Sequence, residues 1–305
     1  MLALVRDPDA PTGIRRAEVP EPVPRADQAL VAVAHASANF GDLHYLAHRE
    51  PGATLGYDAA GVVVVAAADG SGPPVGTRVA GFAPGAWAQR VAIATRDLAE
   101  VPSDVDLADA AALPLAGMTA LRTLRAAGPL LGRRVLITGA SGGVGRFAVQ
   151  LARRSGAYVI ASVSSPARAD GLARLGAHEV VVGLADIDPV DVVLELVGGA
   201  HLVTAWGLLR PGGTLQSIGW ASGEPAVFPV NSTFFPGPAR TLQSFGDFAD
   251  VGPDLAILLR LVRAGELSPE VTWRGSWEQM EQALPDLLAR RVPGKIVIDI
   301  PAEAS

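Results

Sequence analysis

A glycine-rich turn between a predicted strand and a predicted helix is the clearest chemical signal in this sequence. Residues 134–138 form a short apolar run, Ala140-Ser141-Gly142-Gly143-Val144-Gly145 follows, and apolar residues then recur at helical spacing. The free N–H groups and the positive dipole end of such a helix attract phosphate. The run matches G-x-G-x-x-G with alanine in the first place, where Gly142 admits a pyrophosphate and Gly145 admits the strand. It therefore predicts a dinucleotide site at Ala140, Ser141, Gly142, Gly143, Val144 and Gly145.

Three residues after the second predicted strand indicate which dinucleotide is bound. In an NAD site, an acidic residue about 20 residues beyond the glycines binds the ribose hydroxyls. Here Ser164 takes that place, and no Asp or Glu occurs between Gly145 and Asp170. The hydroxyls of Ser164 and Ser165, with Arg168 one turn on, would hold a 2′-phosphate by charge-assisted hydrogen bonds. The sequence therefore favours NADPH over NADH; alternatively, Arg168 is a solvated surface residue and the serines only cap a helix.

The elements around this motif fall into two kinds. Up to about residue 100, short apolar or alternating runs separated by Gly, Pro and Asp clusters predict a β-barrel-like domain. These predicted strands are Met1–Arg6, Ala29–Ala34, Gly61–Ala68, Arg78–Phe82 and Trp87–Ala94. Asp106–Ala126 then has a helical pattern.

From Gly132 onwards strands and helices alternate, which predicts a doubly wound parallel sheet. The predicted strands after the glycine turn are Tyr158–Val163, Glu179–Val182, Val192–Leu196, Thr214–Gly219 and Ala239–Phe245. The predicted helices are one capped by Ser165, one over His201–Leu209 and one over Asp254–Arg263, with a turn at Pro211–Gly213. A β-helix-β tail ends at Lys295–Ile300 and is expected to return to the first domain. The predicted fold class is α/β.

The composition excludes several classes of protein. The chain has 305 residues, is 49% apolar, carries a net charge of −6 and contains no cysteine. Its length suits two domains, and the lack of cysteine excludes disulfides and thiolate-bound metal. The negative charge without a basic patch argues against a nucleic-acid partner. Neither a signal peptide nor a membrane-spanning stretch is recognisable, so we expect a cytoplasmic protein.

The glycine turn also satisfies T-G-x-x-x-G-x-G, the pattern of short-chain dehydrogenases. That family would bring a Tyr-x-x-x-Lys catalytic pair. The sequence has a single lysine, Lys295, and the residue four positions before it is Arg291. The turn also lies in the middle of the chain, whereas that family opens with it. We therefore reject this family.

Motifs along nearly the whole chain resemble those of medium-chain dehydrogenase/reductases, in the order of that family. They are Asn39-Phe-Gly-Asp42, Gly56-Tyr-Asp-Ala-Ala-Gly-Val62, Val75-Gly-Thr-Arg-Val79, Ala111-Ala-Leu-Pro114 with Thr119-Ala120, Ala140–Gly145, Asp191–Gly199, Pro211–Gly213 and Gly294-Lys-Ile-Val297. The resemblance is to the zinc-less quinone oxidoreductase branch, which includes zeta-crystallin and is similar to the enoyl reductase domains of polyketide synthases.

This resemblance implies a GroES-like barrel domain (residues 1–115), a Rossmann domain (residues 116–249) and a returning C-terminal segment (residues 250–305). It also implies NADPH bound between the two domains, with further cofactor contacts at Thr119, Val197, Ile218 and Gly219. Relatives of this kind usually form dimers through the sheet edge, and the predicted sixth strand, Ala239–Phe245, carries no lysine or proline to protect that edge. We therefore expect a homodimer.

Zinc-dependent members read G-H-E-x-x-G where this chain has Gly56–Gly61, and their histidine binds the metal. Tyr57 and Asp58 take the places of the histidine and the glutamate here. A catalytic zinc site needs three protein ligands, and the cysteine ligands of the family are absent. We therefore predict no metal site and a zinc-independent reaction.

Without a metal, a side chain or solvent must supply the proton that accompanies hydride transfer. Candidate donors are Tyr57, Tyr45 and His44, and Asn39 is an amide able to orient cofactor or substrate. Tyr57 ranks first because it stands at the family's metal position; alternatively, it only shapes the pocket and water donates the proton. A small apolar substrate would meet aromatic residues chosen from Phe40, Trp87, Trp220, Phe234 and Phe235.

The family's usual donors do not carry over to this chain. Quinone oxidoreductases usually have a tyrosine where this chain has His44, and polyketide enoyl reductases have one at the position of Glu50. We expect an NADPH-dependent oxidoreductase that transfers hydride to a quinone or to an activated C=C bond of an enone or enoyl substrate. The alternatives are a tailoring reductase or cyclase of secondary metabolism on the same fold, and a non-catalytic NADPH-binding protein.

Overall fold

The computed structural model describes residues 1–234, 236–289 and 291–302. Contacts between Cα atoms divide the chain into two units. Unit 1 holds Met1–Met118 together with the chain from Phe248 onwards, and unit 2 holds Thr119–Asp247. The domain boundaries expected after residues 115 and 249 remain predictions. The contact grouping does not say which part is the catalytic domain and which part binds the cofactor.

The elements are named here in chain order. The strands are β1 (Leu2–Arg6), β2 (Ile14–Glu18), β3 (Gln28–Ala38), β4 (Asp58–Val65), β5 (Arg78–Phe82), β6 (Arg90–Ala94), β7 (Leu98–Glu100), β8 (Arg134–Ile137), β9 (Tyr158–Val163), β10 (Glu179–Val182), β11 (Val190–Glu195), β12 (Leu209–Ser217), β13 (Thr241–Ser244), β14 (Val271–Ser276) and β15 (Lys295–Asp299). The α-helices are α1 (Phe40–His44), α2 (Leu107–Ala111), α3 (Pro114–Ala126), α4 (Gly143–Arg154), α5 (Gly199–Gly207), α6 (Gly252–Arg263) and α7 (Met280–Leu288).

Unit 1 contains a seven-stranded sheet and a separate hairpin. The sheet has the order β14-β15-β3-β4-β5-β7, with β6 also paired to β3. Its strand pairs are antiparallel apart from β14 with β15, and β1 pairs with β2 to form the hairpin. The core of the sheet includes Trp87, Ile93 and Trp277, which are almost completely buried. This is the β-rich first domain that the sequence predicts.

Unit 2 contains six parallel strands in the order β10-β9-β8-β11-β12-β13. Strand β8 lies between β9 and β11, so the chain winds first to one side of β8 and then to the other. Ligands of doubly wound sheets bind at the carboxyl edge beside such a reversal. The strands are rich in Val, Ile and Leu because helices cover both faces of a parallel sheet. The predicted doubly wound sheet is confirmed.

Two helical predictions need correction. The predicted helix after Ser165 is only a 3₁₀ turn, Pro166–Arg168, and the side chain of Ser165 does not cap it. The pattern over residues 106–126 divides into α2 and α3, because Pro114 opens a new helix at a position that needs no N–H donor. Asp106 caps α2 by accepting a hydrogen bond from the N–H of Ala108 at 3.0 Å.

The predicted turn at Pro211–Gly213 lies inside β12 as an irregularity of the strand. The register between β11 and β12 moves from Val190 opposite Leu209 to Val192 opposite Thr214. Proline cannot donate a ladder hydrogen bond, so a bulge is the position at which a strand tolerates it.

The sequence also missed β2, β7 and the short α1. No α-helix in the described parts of the chain is long and apolar enough to cross a membrane.

Candidate functional site

The glycine-rich turn lies at the carboxyl edge of the unit 2 sheet, between β8 and α4. The N–H of Gly142 donates to the carbonyl of Gly139 at 3.0 Å, which closes the turn. Helix α4 begins at Gly143, with Gly142 as its N-cap, and Val144 and Gly145 complete its first turn. The N–H groups of a first helical turn have no acceptor within the helix. Together with the helix dipole they form an anion site.

Two glycines of this turn differ in what a side chain would meet. A Cβ atom at Gly145 would lie 2.6 Å from the Cα of Ala140 and from the carbonyl oxygen of Gly139, so the backbone itself requires glycine. A Cβ atom at Gly142 would meet the Gly139 oxygen at an ordinary 3.5 Å, and the φ of Gly142 is −79°. The fold therefore tolerates a side chain at Gly142. The predicted contact of Gly142 with a pyrophosphate would use this space and stays a prediction.

Arg146 ties the glycine turn to the segment after β9. Its Nε donates to the carbonyl of Ser141 at 3.2 Å, and its Nη2 donates to the carbonyl of Asp170 at 2.9 Å. The N–H of Ala140 donates to the carbonyl of Ser162 at 3.0 Å, which fixes the turn to β9 as well. The side chains of Ala140, Ser141 and Arg146 are buried. The turn is thus held rigidly before any ligand arrives.

Glu195, at the end of β11, organises the neighbouring loops of the same edge. Its buried carboxylate accepts hydrogen bonds from the N–H groups of Val197 at 3.1 Å and Gly198 at 2.8 Å. Its carbonyl accepts from the N–H of Ile218 at 2.8 Å and of Gly219 at 3.3 Å. Val197, Ile218 and Gly219 were expected to contact the cofactor, and Glu195 brings them together. Its signal in the sequence is an acidic residue that directly follows the apolar run Val192–Leu194.

The residues expected at the 2′-phosphate follow β9 directly. Ser164 is exposed, Ser165 is half-buried, and Arg168 lies in the 3₁₀ turn. Two further guanidinium groups approach this segment. A Cβ atom at Gly171 would lie 3.2 Å from Nη1 of Arg146 and 3.6 Å from Nη2 of Arg174. The segment after β9 is therefore more cationic than the sequence alone indicated.

Thr119 lies on α3 and is the first residue of unit 2. Its side chain is buried, and its carbonyl accepts a hydrogen bond from Oγ1 of Thr123 at 2.7 Å. The contacts within unit 2 thus place Thr119 in a helix interior. Its expected contact with a cofactor remains a prediction.

In unit 1 the strand register gathers several polar residues at one end of the sheet. Asp58, the first residue of β4, lies opposite Ser37 of β3 and opposite Phe82 of β5. Strand β15 begins with Lys295 and pairs with the same end of β3. Tyr57 immediately precedes Asp58. Residues far apart in sequence therefore meet at this end.

Tyr57 belongs to a column of stacked side chains. Its ring stacks on Phe82 with centroids 5.2 Å apart and planes 11° from parallel, and Phe82 stacks on Phe248 at 6.0 Å and 19°. The guanidinium carbon of Arg49 lies 5.1 Å from the centroid of the Tyr57 ring. Aromatic stacking and a cation near the ring fix the side chain of Tyr57. Arg49 and Phe248 were not recognised from the sequence.

The hydroxyl of Tyr57 accepts a hydrogen bond from Nη2 of Arg49. A guanidinium group has donors and no acceptor, so the phenolic proton of Tyr57 is not used in this bond. The proton is therefore left to be donated to another acceptor.

Asn39 is held by three charged side chains. Its Oδ1 accepts from Nζ of Lys295 at 2.6 Å, and its Nδ2 donates to Oδ2 of Asp58 at 2.9 Å and to Oδ2 of Asp42 at 3.3 Å. An amide nitrogen has two protons, and both are used here. Asn39 thus links two buried carboxyl groups and the ammonium group. The expectation that Asn39 orients cofactor or substrate stays a prediction.

Burial strongly affects the acids and the base of this cluster. It raises the pKa of Asp42 from 3.8 to about 7, and the negative charge of Asp58 adds to the rise. Burial also raises the pKa of Asp58 and lowers the pKa of Lys295, and the attraction between these two groups opposes both changes. Two carboxyl groups share one ammonium group. Protonation of Asp42 leaves Asp58 and Lys295 as a neutral ion pair.

The other donor candidates, His44 and Tyr45, belong to helix α1 and its C-cap. His44 and Tyr45 are exposed at the end of α1, where His44 stacks on Phe40 at 5.0 Å and contacts Tyr45 edge-on at 4.9 Å. No hydrogen bond or ring contact between described residues joins either one to Tyr57. The structure thus separates the expected donors into two groups.

The aromatic residues expected along an apolar cleft have different surroundings. Trp87 is a core residue, fully buried, and its Nε1 donates to the carbonyl of Ser37 at 3.0 Å. Trp220 is partly exposed beside Gly198, and Phe234 is largely exposed. Phe235 lies outside the described residues.

A zinc ion does not fit the residues at the family's metal position. Tyr57 is bound to Arg49, and Asp58 is paired with Lys295 at 3.5 Å, which places a positive charge where a cation would bind. Within the described residues, no group of three or more His, Cys, Asp or Glu is arranged to hold a metal.

Comparison with known proteins identifies the family. A family model described as zinc-binding dehydrogenase matches residues 143–262, and one described as the alcohol dehydrogenase GroES-like domain matches residues 25–103. The chain is 31% identical over 284 residues to a quinone oxidoreductase of Pseudomonas aeruginosa, covering 85% of this chain and 87% of that protein. It is 30% identical over 321 residues to prostaglandin reductase-3 of Bos taurus, covering 94% and 85%.

A larger relative and a solved structure extend this picture. The chain is 34% identical over 294 residues to the spectinabilin polyketide synthase system protein NorB of Streptomyces orinoci, covering 90% of this chain and 13% of that protein. A mycobacterial protein whose structure was solved in complex with NADPH has 26% identity and a TM-score of 0.87, covering 98% of this chain and 100% of its own. Fold, motifs and relatives agree: the chain is an oxidoreductase that belongs to the medium-chain dehydrogenase/reductases, in the zinc-less quinone oxidoreductase branch.

Proposed function

We propose that this protein is an NADPH-dependent, zinc-independent reductase that transfers hydride to a quinone or to the activated C=C bond of an enone or enoyl compound. The observation that carries the proposal is the pair formed by Tyr57 and Arg49, a positioned acid with a cation beside it. The quinone oxidoreductase and prostaglandin reductase relatives support this class of acceptor.

NADPH is proposed as the cofactor, bound at the glycine turn of unit 2. The open space at Gly142 and the first turn of α4 suit a pyrophosphate. Arg168 and the neighbouring Arg146 and Arg174 suit a 2′-phosphate, which a carboxylate in this place would repel. The mycobacterial neighbour solved with NADPH supports this choice.

The chain's own residues would act on the acceptor as follows. Bound NADPH supplies the hydride, and negative charge then develops on the oxygen conjugated to the accepting carbon. Tyr57 donates its phenolic proton towards that charge, and Arg49 stabilises the phenolate until water returns the proton. Phe82 and Phe248 hold the Tyr57 ring so that the hydroxyl needs little reorganisation.

Zinc independence is part of the proposal. The sequence has no cysteine, and Tyr57 and Asp58 are bound to Arg49 and Lys295 respectively. A homodimer is also proposed, because the residues of the edge strand β13 are exposed within the chain and the strand has no lysine or proline. A cytoplasmic location and the domain boundaries 1–115, 116–249 and 250–305 remain proposals.

The proposal is tested by following NADPH oxidation with a panel of quinones, enones and enoyl thioesters, with and without a chelator. We expect turnover of at least one acceptor class, no loss of rate with the chelator, and at least tenfold weaker binding of NADH than of NADPH. Turnover limited to enoyl thioesters would favour the polyketide-type reduction suggested by the relative from Streptomyces orinoci. No oxidation with any acceptor, or stoichiometric bound zinc required for activity, would overturn the proposal.

A further inference from the structure

Arg49 donates a hydrogen bond to a neutral side chain, the hydroxyl of Tyr57. Several other arginines pair with carboxylates, for example Arg15 with Asp7 at 2.7 Å and Arg263 with Asp104 at 2.9 Å. Within the described residues, Arg49 has no carboxylate partner, and its hydrogen bond goes to the hydroxyl of Tyr57. It is also half-buried, so part of its hydration is lost. A partly desolvated cation without a counter-charge is costly unless a ligand supplies the charge.

The pair has hydrogen-bond donors left over from its own contact. A guanidinium group carries five N–H donors, and the bond to Tyr57 uses one of them. The phenolic O–H of Tyr57 is a second donor next to them. A carboxylate can take two parallel N–H bonds from the remaining donors of Arg49, which is the geometry that arginine provides for carboxylates. The O–H of Tyr57 then stays available for a second acceptor on the same ligand.

The surroundings of the pair restrict the rest of the ligand. Phe82 and Phe248 extend the column behind the Tyr57 ring and offer an apolar surface without charge. A ligand bound here would combine an anionic group with an apolar body. A neutral carbonyl, in contrast, would need only the hydroxyl of Tyr57. It would leave the positive charge of Arg49 without an opposite charge.

We propose that the acceptor reduced by this protein carries a carboxylate, which Arg49 binds beside the group that Tyr57 protonates. This inference rests on the proposed function and names the substrate class. In the reaction, the hydride adds to one carbon of the C=C bond and the electron pair of that bond moves towards the conjugated carbonyl. Tyr57 protonates the enolate oxygen, the enol then tautomerises in water to the saturated ketone, and the carboxylate is unchanged.

The test uses benzoylacrylate and its methyl ester, which share one conjugated ketone and differ in the carboxylate charge. We expect kcat/KM for the acid to exceed that for the ester at least tenfold, although the ester is the better electrophile. Arg49→Gln should remove this ratio, and Arg49→Lys should keep part of it because the charge remains. Added salt should raise KM for the acid and leave KM for the ester unchanged.

Two controls keep the outcomes separate. Arg263→Gln removes an exposed arginine that is already paired with Asp104, and it should leave the ratio as in the wild type. Binding of benzoylpropionate, the saturated acid, and of its methyl ester is measured by calorimetry with NADPH present, so it needs no turnover. Tighter binding of the acid that depends on Arg49 supports the carboxylate site even if the reductase assays fail. Equal binding and equal kcat/KM for acid and ester would overturn it, whatever the reductase activity.

Discussion

The candidate sites of the two units are built in opposite ways. The glycine turn of unit 2 is a backbone site, made by consecutive residues between β8 and α4. The Tyr57 column of unit 1 is a side-chain site, whose members come from four separate segments of the chain. The backbone site depends on the absence of side chains, and the side-chain site depends on contacts between them. Substitutions should therefore damage the two sites in different ways.

The largest expected effect is on the side-chain site. Tyr57→Phe keeps the stacked ring and removes only the hydroxyl, so kcat should fall about 100-fold while KM and NADPH affinity change little. Steady-state kinetics of wild type and variant on an active acceptor provide the measurement. A kcat within about threefold of wild type would contradict this prediction. The stacked column around Tyr57 would then contain no proton donor, and Tyr45 and His44 would be tested next.

A pair of glycine substitutions sharpens the comparison within the backbone site. Gly142→Ala should weaken NADPH binding at least tenfold with little change in Tm, because its Cβ fits the fold but fills the space for the pyrophosphate. Gly145→Ala should lower Tm, because its Cβ would lie 2.6 Å from the backbone at Ala140. Calorimetry and thermal denaturation measure the two effects. Equal loss of Tm in both variants would contradict the separate roles.

The sequence predicted the backbone site and most of the fold because both are local. Apolar periodicity gave the alternating strands and helices of unit 2, and the glycine spacing located the turn. The sequence did not predict Arg49 or Phe248 beside Tyr57, since their contacts depend on strand register and on the return of the chain from unit 2. It also did not predict the contacts of Asn39 with Asp58 and Lys295, because a polar residue in a motif can be a ligand or an internal link.

The smallest expected effect concerns the cluster that binds Asn39. Because the pKa of Asp42 rises from 3.8 to about 7 on folding, the folded state keeps a proton that the unfolded state loses in this range. The free energy of unfolding should therefore fall as pH rises from about 4 to about 7. Asp42→Asn removes this loss of stability. The difference in Tm, variant minus wild type, should therefore increase by a few degrees between pH 5 and pH 8. This estimate uses roughly 2–4 °C in Tm per kcal/mol of unfolding free energy.

Asp9→Asn, which changes an exposed carboxylate, is the control for this prediction and should show a constant difference in Tm. Thermal denaturation at several pH values measures both variants. A Tm difference for Asp42→Asn that is constant over the same range would show that Asp42 keeps an ordinary pKa. The carboxyl group of Asp42 would then titrate like an exposed carboxyl group.

The buried position of Lys295 has a practical consequence for labelling. It carries the only side-chain amine in the sequence, and it is 2% exposed, bonded to Asn39 and Asp58. Reagents that acylate amines should therefore spare the side chains of the folded chain. Acylation of Lys295 requires this end of the unit 1 sheet to open, so mass spectrometry of that one residue over time would report the opening rate without any engineered probe.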